Sequence, residues 1–127
     1  MSTVKVEIPV TMTDEEIREN VQFASGCYYW ADVEEITKGY MVHVRDDAYG
    51  YEASHEVTFE DLRDAFARIV RGTTESGRSY QIVGWMHEYF YRSIMNGENG
   101  GIDFGDIDTD AADAWMQIAL FDHIVYS

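Results

Sequence analysis

Hydrophobic periodicity changes along this chain, from a repeat of two residues to a repeat of about 3.6, and the change limits the folds open to it. Val4, Val6, Ile8 and Val10 alternate with Lys5, Glu7 and Pro9, which reads as a half-buried strand. Pro9 has no N–H for a ladder, so that strand belongs at a sheet edge. Thr13 then opens a helix: Glu16 stands at capping-box distance, and Asp14 and Glu15 suit the positive helix end. Ile17, Val21 and Ala24 form its apolar stripe, and Gly26 reads as its stop. Residues 27–36 and 40–45 read as two strands joined at Lys38-Gly39, with Tyr40, Val42 and Val44 opposing Met41, His43 and Arg45. After a turn at 46–51, Ala53, His55 and Val57 alternate with Glu52, Ser54 and Glu56.

From Thr58 onward the period is helical. Thr58 and Asp61 have capping spacing, Leu62, Phe66, Ile69 and Val70 make a buried stripe, Asp64 can pair with Arg68, and Gly72 ends the helix. A polar loop over 73–79 precedes a helix from about Tyr80 to Met95, marked by Ile82, Met86, Tyr89 and Phe90. Glycine and asparagine crowd the start of a loop over 96–108. Asp108 or Thr109 caps a last helix with Ala112, Trp115, Met116, Ala119 and Leu120 on one stripe, and Ile124 to Tyr126 reads as a short strand or docked tail. The order β-α-β-β-β-α-α-α predicts an α+β fold: a small antiparallel β-sheet with about four helices packed mainly on one face, in a single domain over 1–127.

Charge limits function more than fold. The net charge is -15, from 24 acids against nine bases, only two of them lysine. It is segregated: -8 over residues 1–56, zero over 57–95 and -7 over 96–127. Such a surface repels nucleic acid and anionic membrane and attracts basic partners. Carboxylates also serve solubility, but mixed surfaces achieve that with less self-repulsion. The apolar content of 46% is too high for disorder, so the chain folds against its own field. No apolar stretch is long enough to span a bilayer and no secretory signal is evident, so a soluble cytoplasmic protein is expected.

Few residues suggest chemistry. Asp106, Asp108 and Asp110 have the first three spacings of an EF-hand loop, but Ala111 replaces the required glycine and Gln117 the closing glutamate, so no metal or other cofactor is expected. His43, His55, His87 and His123 are scattered, although His43 and His55 could share a site on neighbouring strands. Cys27, the only cysteine, follows a helix C-terminus in an acidic field and reads as a packed small residue rather than a nucleophile. Tyr28, Tyr29 and Trp30, taken as strand residues, alternate faces and are candidate aromatic anchors beside their ordinary reading as core. Arg71, Arg78 and Arg92 could line a pocket for a small anion, while Arg68 and Arg71 also suit a helix C-terminus. No catalytic set is recognised, so an enzyme is not expected.

The stretches "TDEEI", "SGCYYW", "EVTFEDL" and "IDTDAADAWMQIALFDHIVYS" give a layout that resembles small acidic proteins encoded by bacteriophages and mobile elements. That resemblance implies an accessory factor against host defence, of the anti-CRISPR or anti-restriction type. The physical expectation beside it is a DNA mimic that occupies the basic surface of a nucleic-acid-binding host complex, without binding nucleic acid or membrane itself. The expected partner-binding acids are Asp14, Glu15, Glu16, Glu19, Glu34, Glu35, Asp46, Asp47, Asp103, Asp106, Asp108, Asp110 and Asp113. The alternative is a sequestering protein for an anionic nucleotide signal, using Tyr28, Tyr29, Trp30, Arg71, Arg78 and Arg92. A third reading is a structural or regulatory phage protein without catalysis. The oligomeric state is left open: the aromatic strands suit a homodimer, and the acidic field resists one.

Overall fold

Capping chemistry sets where the helices begin. The computed structural model describes residues 12–45, 53–71, 84–95, 103–122 and 126, with the backbone alone at Ala53, Arg71, 84–89 and Asp106. Helix α1 (Asp14–Asn20) starts on the expected capping box: the Glu16 N–H donates to Thr13 Oγ1, and the Thr13 N–H donates to Glu16 Oε1, both at 3.1 Å. Helix α3 (Phe59–Arg71) repeats the device with Thr58 and Asp61 at 3.0 Å. Asp108 caps helix α5 (Thr109–Phe121) by accepting from the Ala111 N–H.

The described strands form an antiparallel sheet in the order β1 (Ala31–Ile36), β2 (Gly39–Val44), β3 (Ala53–Thr58). The tight turn at Lys38-Gly39 fixes the register, with Ile36 opposite Gly39 and Ala31 opposite Val44. Gly39 lies so close to the Val57 carbonyl that no side chain fits there. Pairing places Tyr40, Val42, Val44 and Val57 on the inner face, where all are buried. Helices α2 (Phe23–Gly26), α3 and α5 touch the strands, and α4 (Gly84–Met95) packs on α3 and α5. The α+β class and the antiparallel sheet expected from the periodicity are those observed.

Helix α5 is the centre of the helical layer. Residues Ala111, Ala112, Ala114, Trp115, Met116, Gln117 and Ile118 are all buried, so it is covered nearly all round rather than along one stripe. Trp115 meets the rings of Phe23, Phe66 and Phe90 at 5.5, 5.2 and 5.8 Å, joining α2, α3, α4 and α5. The C-terminal end of α2 comes close to the first turn of α5, and a methyl group on Gly26 would lie 2.5 Å from the Thr109 carbonyl oxygen.

Three expectations require correction. The helix expected to run from Thr13 to Gly26 breaks after Asn20: Val21 is extended, and α2 starts afresh at Phe23. The break puts Val21 and Phe23 both into the core, which one continuous helix would have pointed apart. The first hairpin strand begins at Ala31, not at Cys27. Tyr28, Tyr29 and Trp30 form a turn closed by the Trp30 and Ala31 N–H groups on the Cys27 carbonyl. They therefore do not alternate as strand residues: Tyr28 and Tyr29 are exposed and Trp30 is buried. Finally, His43 is opposite Ser54 and His55 is opposite Val42, so the two histidines occupy opposite faces of the sheet and share no site.

The loop expected over 96–108 contains a 3-10 turn at Phe104–Asp106, capped by Asp103. The strand expected over 4–10, the turn at 46–51, the loop at 73–79 and the start expected at Tyr80 lie outside the described residues.

Candidate functional site

The exposed carboxylates fall into three groups, and the elements that carry them explain why. The first follows from α1, where only Ile17 is buried. Asp14, Glu15 and Glu19 are exposed there, while Glu16 is engaged in the capping box. The second is the outer face of the sheet, where alternation brings Asp32 and Glu34 on β1 together with Glu56 on β3. Successive same-face residues on one strand are about 6.6 Å apart. The third group surrounds the start of α5, where Asp103 and Asp108 cap and Asp110 lies exposed in the first turn.

Several cationic side chains near these groups hold local partners. Arg63 holds Asp14 at 2.5 Å. Arg18 donates to the Ile36 carbonyl at 2.5 Å, approaches Glu35 at 3.9 Å and covers the Phe59 ring. Arg45 holds Asp32 at 3.6 Å and also donates to the Tyr28 carbonyl. Arg68, buried, lies between Asp64 and Asp122. His43 bridges Ser54 at 2.8 Å and Glu34 at 3.4 Å. Exposed pairs of this kind add little stability. Their effect here is to neutralise particular acids and leave Glu15, Glu19, Glu56, Glu60 and Asp110 exposed without an ion pair among the described residues.

The expected partner-binding residues thus divide. Asp14, Glu15, Glu16 and Glu19 share α1, and Arg18 ties that helix to the β1 end that carries Glu34 and Glu35. Asp103, Asp108 and Asp110 gather at the start of α5. Asp46 and Asp47, like Arg78, lie outside the described residues, as do the side chains of Asp106 and Arg71. Arg92 is exposed on α4.

Asp113, expected among the partner-binding acids, is half-buried, and its carboxylate lies inside a hydrogen-bond cluster. Oδ1 accepts from Trp30 Nε1 at 2.6 Å and Gln117 Nε2 at 2.9 Å, and Oδ2 accepts from the Tyr29 hydroxyl at 2.6 Å. Burial, reinforced by the negative charge of Asp113, raises the pKa of Cys27, which suits a packed thiol and not a nucleophile. Burial and the hydrogen bond to Asp113 likewise raise that of Tyr29.

Glu56 and Glu60 are also exposed and stand outside the expected set. The outward position of Glu56 follows from its alternation with the buried Val57. The Asp113 cluster has no such local pattern, since its partners Tyr29 and Trp30 lie 84 and 83 residues away in the chain.

A small cleft separates α1 and α2 from the sheet. It is lined by Arg18, Val21, Gln22, Phe23, Val33, Glu35 and Tyr40 and encloses about 130 Å³. Ligand pockets for nucleotide-sized molecules are typically about 300–1,000 Å³, so this cleft does not serve the nucleotide reading. The Tyr40 hydroxyl is buried there and makes no hydrogen bond among the described residues. Burial, then the charge of Glu35, push its pKa up to about 12, against an opposing effect from Arg18.

A folded pKa raised above an unfolded value of about 10 contributes stability that is complete below that value and lost as pH rises toward the folded one. Tyr40→Phe is therefore expected to be neutral or slightly stabilising at pH 7 and to lose less stability between about pH 10 and 12. Urea midpoints across that range test this; an alkaline loss equal to wild type would dissociate Tyr40 from it.

Among the described residues, no three His, Cys, Asp or Glu side chains converge to hold a metal ion. No described helix is long and apolar enough to cross a membrane. The chain matches no protein-family profile, no curated protein and no solved structure.

Proposed function

We propose that this protein is an acidic binding protein that occupies the basic, nucleic-acid-binding surface of a host defence complex and imitates DNA there. The observation that carries the reading is the disposition of charge. Arg18, Arg45 and Arg63 are paired locally, and exposed carboxylates stand on α1, on the outer sheet face and at the start of α5. DNA presents a negative charge about every 1.7 Å of its axis, so a mimic needs carboxylates spread over more than one element. The class of partner, a nuclease or surveillance complex, comes from the resemblance to small acidic phage proteins. The field of -15 opposes sequestration of an anionic nucleotide.

The test is capture of partners from host lysate, with duplex DNA as competitor and salt varied. The expected partners are basic nucleic-acid-binding proteins that DNA displaces, with affinity falling about tenfold or more between ~50 and ~200 mM salt. Exchanging Glu15, Glu19, Glu34 and Glu56 for lysine is expected to abolish capture, since all four are exposed and none caps a helix. Asp108 is a poor choice for this purpose because it caps α5. Capture insensitive to DNA, salt and these exchanges would remove the mimic reading.

A further inference from the structure

The Asp113 cluster ends in a contact that resembles recognition of a peptide ligand. Gln117, fully buried, holds both backbone groups of Tyr126: its Oε1 accepts from the Tyr126 N–H at 2.8 Å, and its Nε2 donates to the Tyr126 carbonyl at 2.9 Å. The Tyr29 hydroxyl reaches the same carbonyl at 3.2 Å. Asp113 accepts from the same Gln117 Nε2, which settles which end of the amide faces which backbone group. The Tyr126 ring stacks on Trp30 at 5.1 Å and 11°, with Phe121 edge-on at 6.0 Å. An amide side chain pairing with one residue's N–H and C=O reproduces strand pairing, the basis of many peptide-recognition modes.

We infer that Tyr29, Trp30, Asp113 and Gln117 form a slot for an aromatic residue of an extended peptide, and that the chain's own Tyr126 occupies it as an intramolecular competitor. None of these contacts depends on Tyr126 belonging to the same chain. The foreign occupant is a partner segment that carries tyrosine or phenylalanine between basic residues. The ring is specified by Trp30 and Phe121, the extended backbone by Gln117, and the basic flanks by the net charge of -15 and the exposed Asp110 on the same helix. Tyr126 follows the end of α5 closely in sequence, so it competes at high effective concentration, on the order of mM. A foreign peptide must displace it, and its apparent affinity is reduced by the fraction of slots that are open. This inference is independent of the DNA-mimic reading.

The test compares the full-length chain with its Tyr126→Ala variant, titrated with an amidated Lys-Lys-Tyr-Lys-Lys peptide and its leucine analogue. The Trp30 indole N–H resonance reports occupancy. The tyrosine peptide is expected to bind the variant at least tenfold more tightly than wild type, and the leucine analogue at least tenfold more weakly than the tyrosine peptide. Adding Gln117→Leu or Gln117→Met to Tyr126→Ala is expected to remove that binding; two replacements are used so that one unfolded variant does not decide the result. Equal binding to wild type and Tyr126→Ala, equal binding of both peptides, or self-association of the variant in place of peptide binding would each overturn the inference.

Discussion

Trp115→Ala is expected to lower stability by about 4 kcal/mol, as large buried aromatics do when truncated. Its indole is fully buried and contacts rings from three other helices. The indole N–H also donates to the Leu62 carbonyl at 2.7 Å, tying α5 to α3. Alanine at this position leaves a cavity where four helices meet, and none can close it without moving away from another. Domains of this size have about 5–15 kcal/mol in total, so the loss corresponds to a large fall in the urea midpoint, followed by far-ultraviolet circular dichroism. Trp115→Phe keeps a ring in place and loses the hydrogen bond, so about 1–2 kcal/mol is expected. A loss below about 2 kcal/mol for alanine would mean that the helical layer does not depend on this ring.

Asp113→Ala is expected to cost about 3 kcal/mol, because it removes the acceptor from a buried indole N–H and from the Tyr29 hydroxyl while Gln117 loses one of its partners. Asp113→Asn retains an acceptor oxygen and should cost about 1 kcal/mol. Near-ultraviolet circular dichroism offers a second readout, since the stacked Trp30 and Tyr126 rings depend on the cluster. Glu19→Ala, at an exposed position without an ion pair among the described residues, is the control and should stay within about 0.5 kcal/mol. If Asp113→Ala matched that control, the cluster would be a surface contact, and Asp113 would return to the acids available to a partner.

Position in the acidic surface was only partly legible from residue type. Glu15, Glu19 and Asp110 are exposed, as the helical pattern implies, and Asp108 caps α5, as its place before an apolar stripe implies. Asp113 differs from Asp110 in nothing that composition records. It stands one turn further along the same helix, on the side that meets Trp30. Glu34 and Glu35 are neighbours in sequence, yet strand alternation puts Glu34 on the outer face with His43 and Glu35 beside Arg18 at the cleft.

What the sequence by itself determined is local. The capping boxes at Thr13 and Thr58, the hairpin at Lys38-Gly39, the inward set Tyr40, Val42 and Val44 and the stripe of α3 all depend on groups a few residues apart. So does the strength of the acidic field, which needs no fold at all. Only the tertiary structure decided the break at Val21, the turn through Tyr28–Trp30, the enclosure of the Asp113 carboxylate in hydrogen bonds and the capture of Tyr126 by Gln117. Each of these is governed by where distant side chains meet: Val21 and Phe23 turn into a common core, and Trp30 must bring its indole N–H to an acceptor 83 residues away. Local patterns cannot encode such distances, because the free energy that decides them is that of burying and pairing groups brought together by the whole fold.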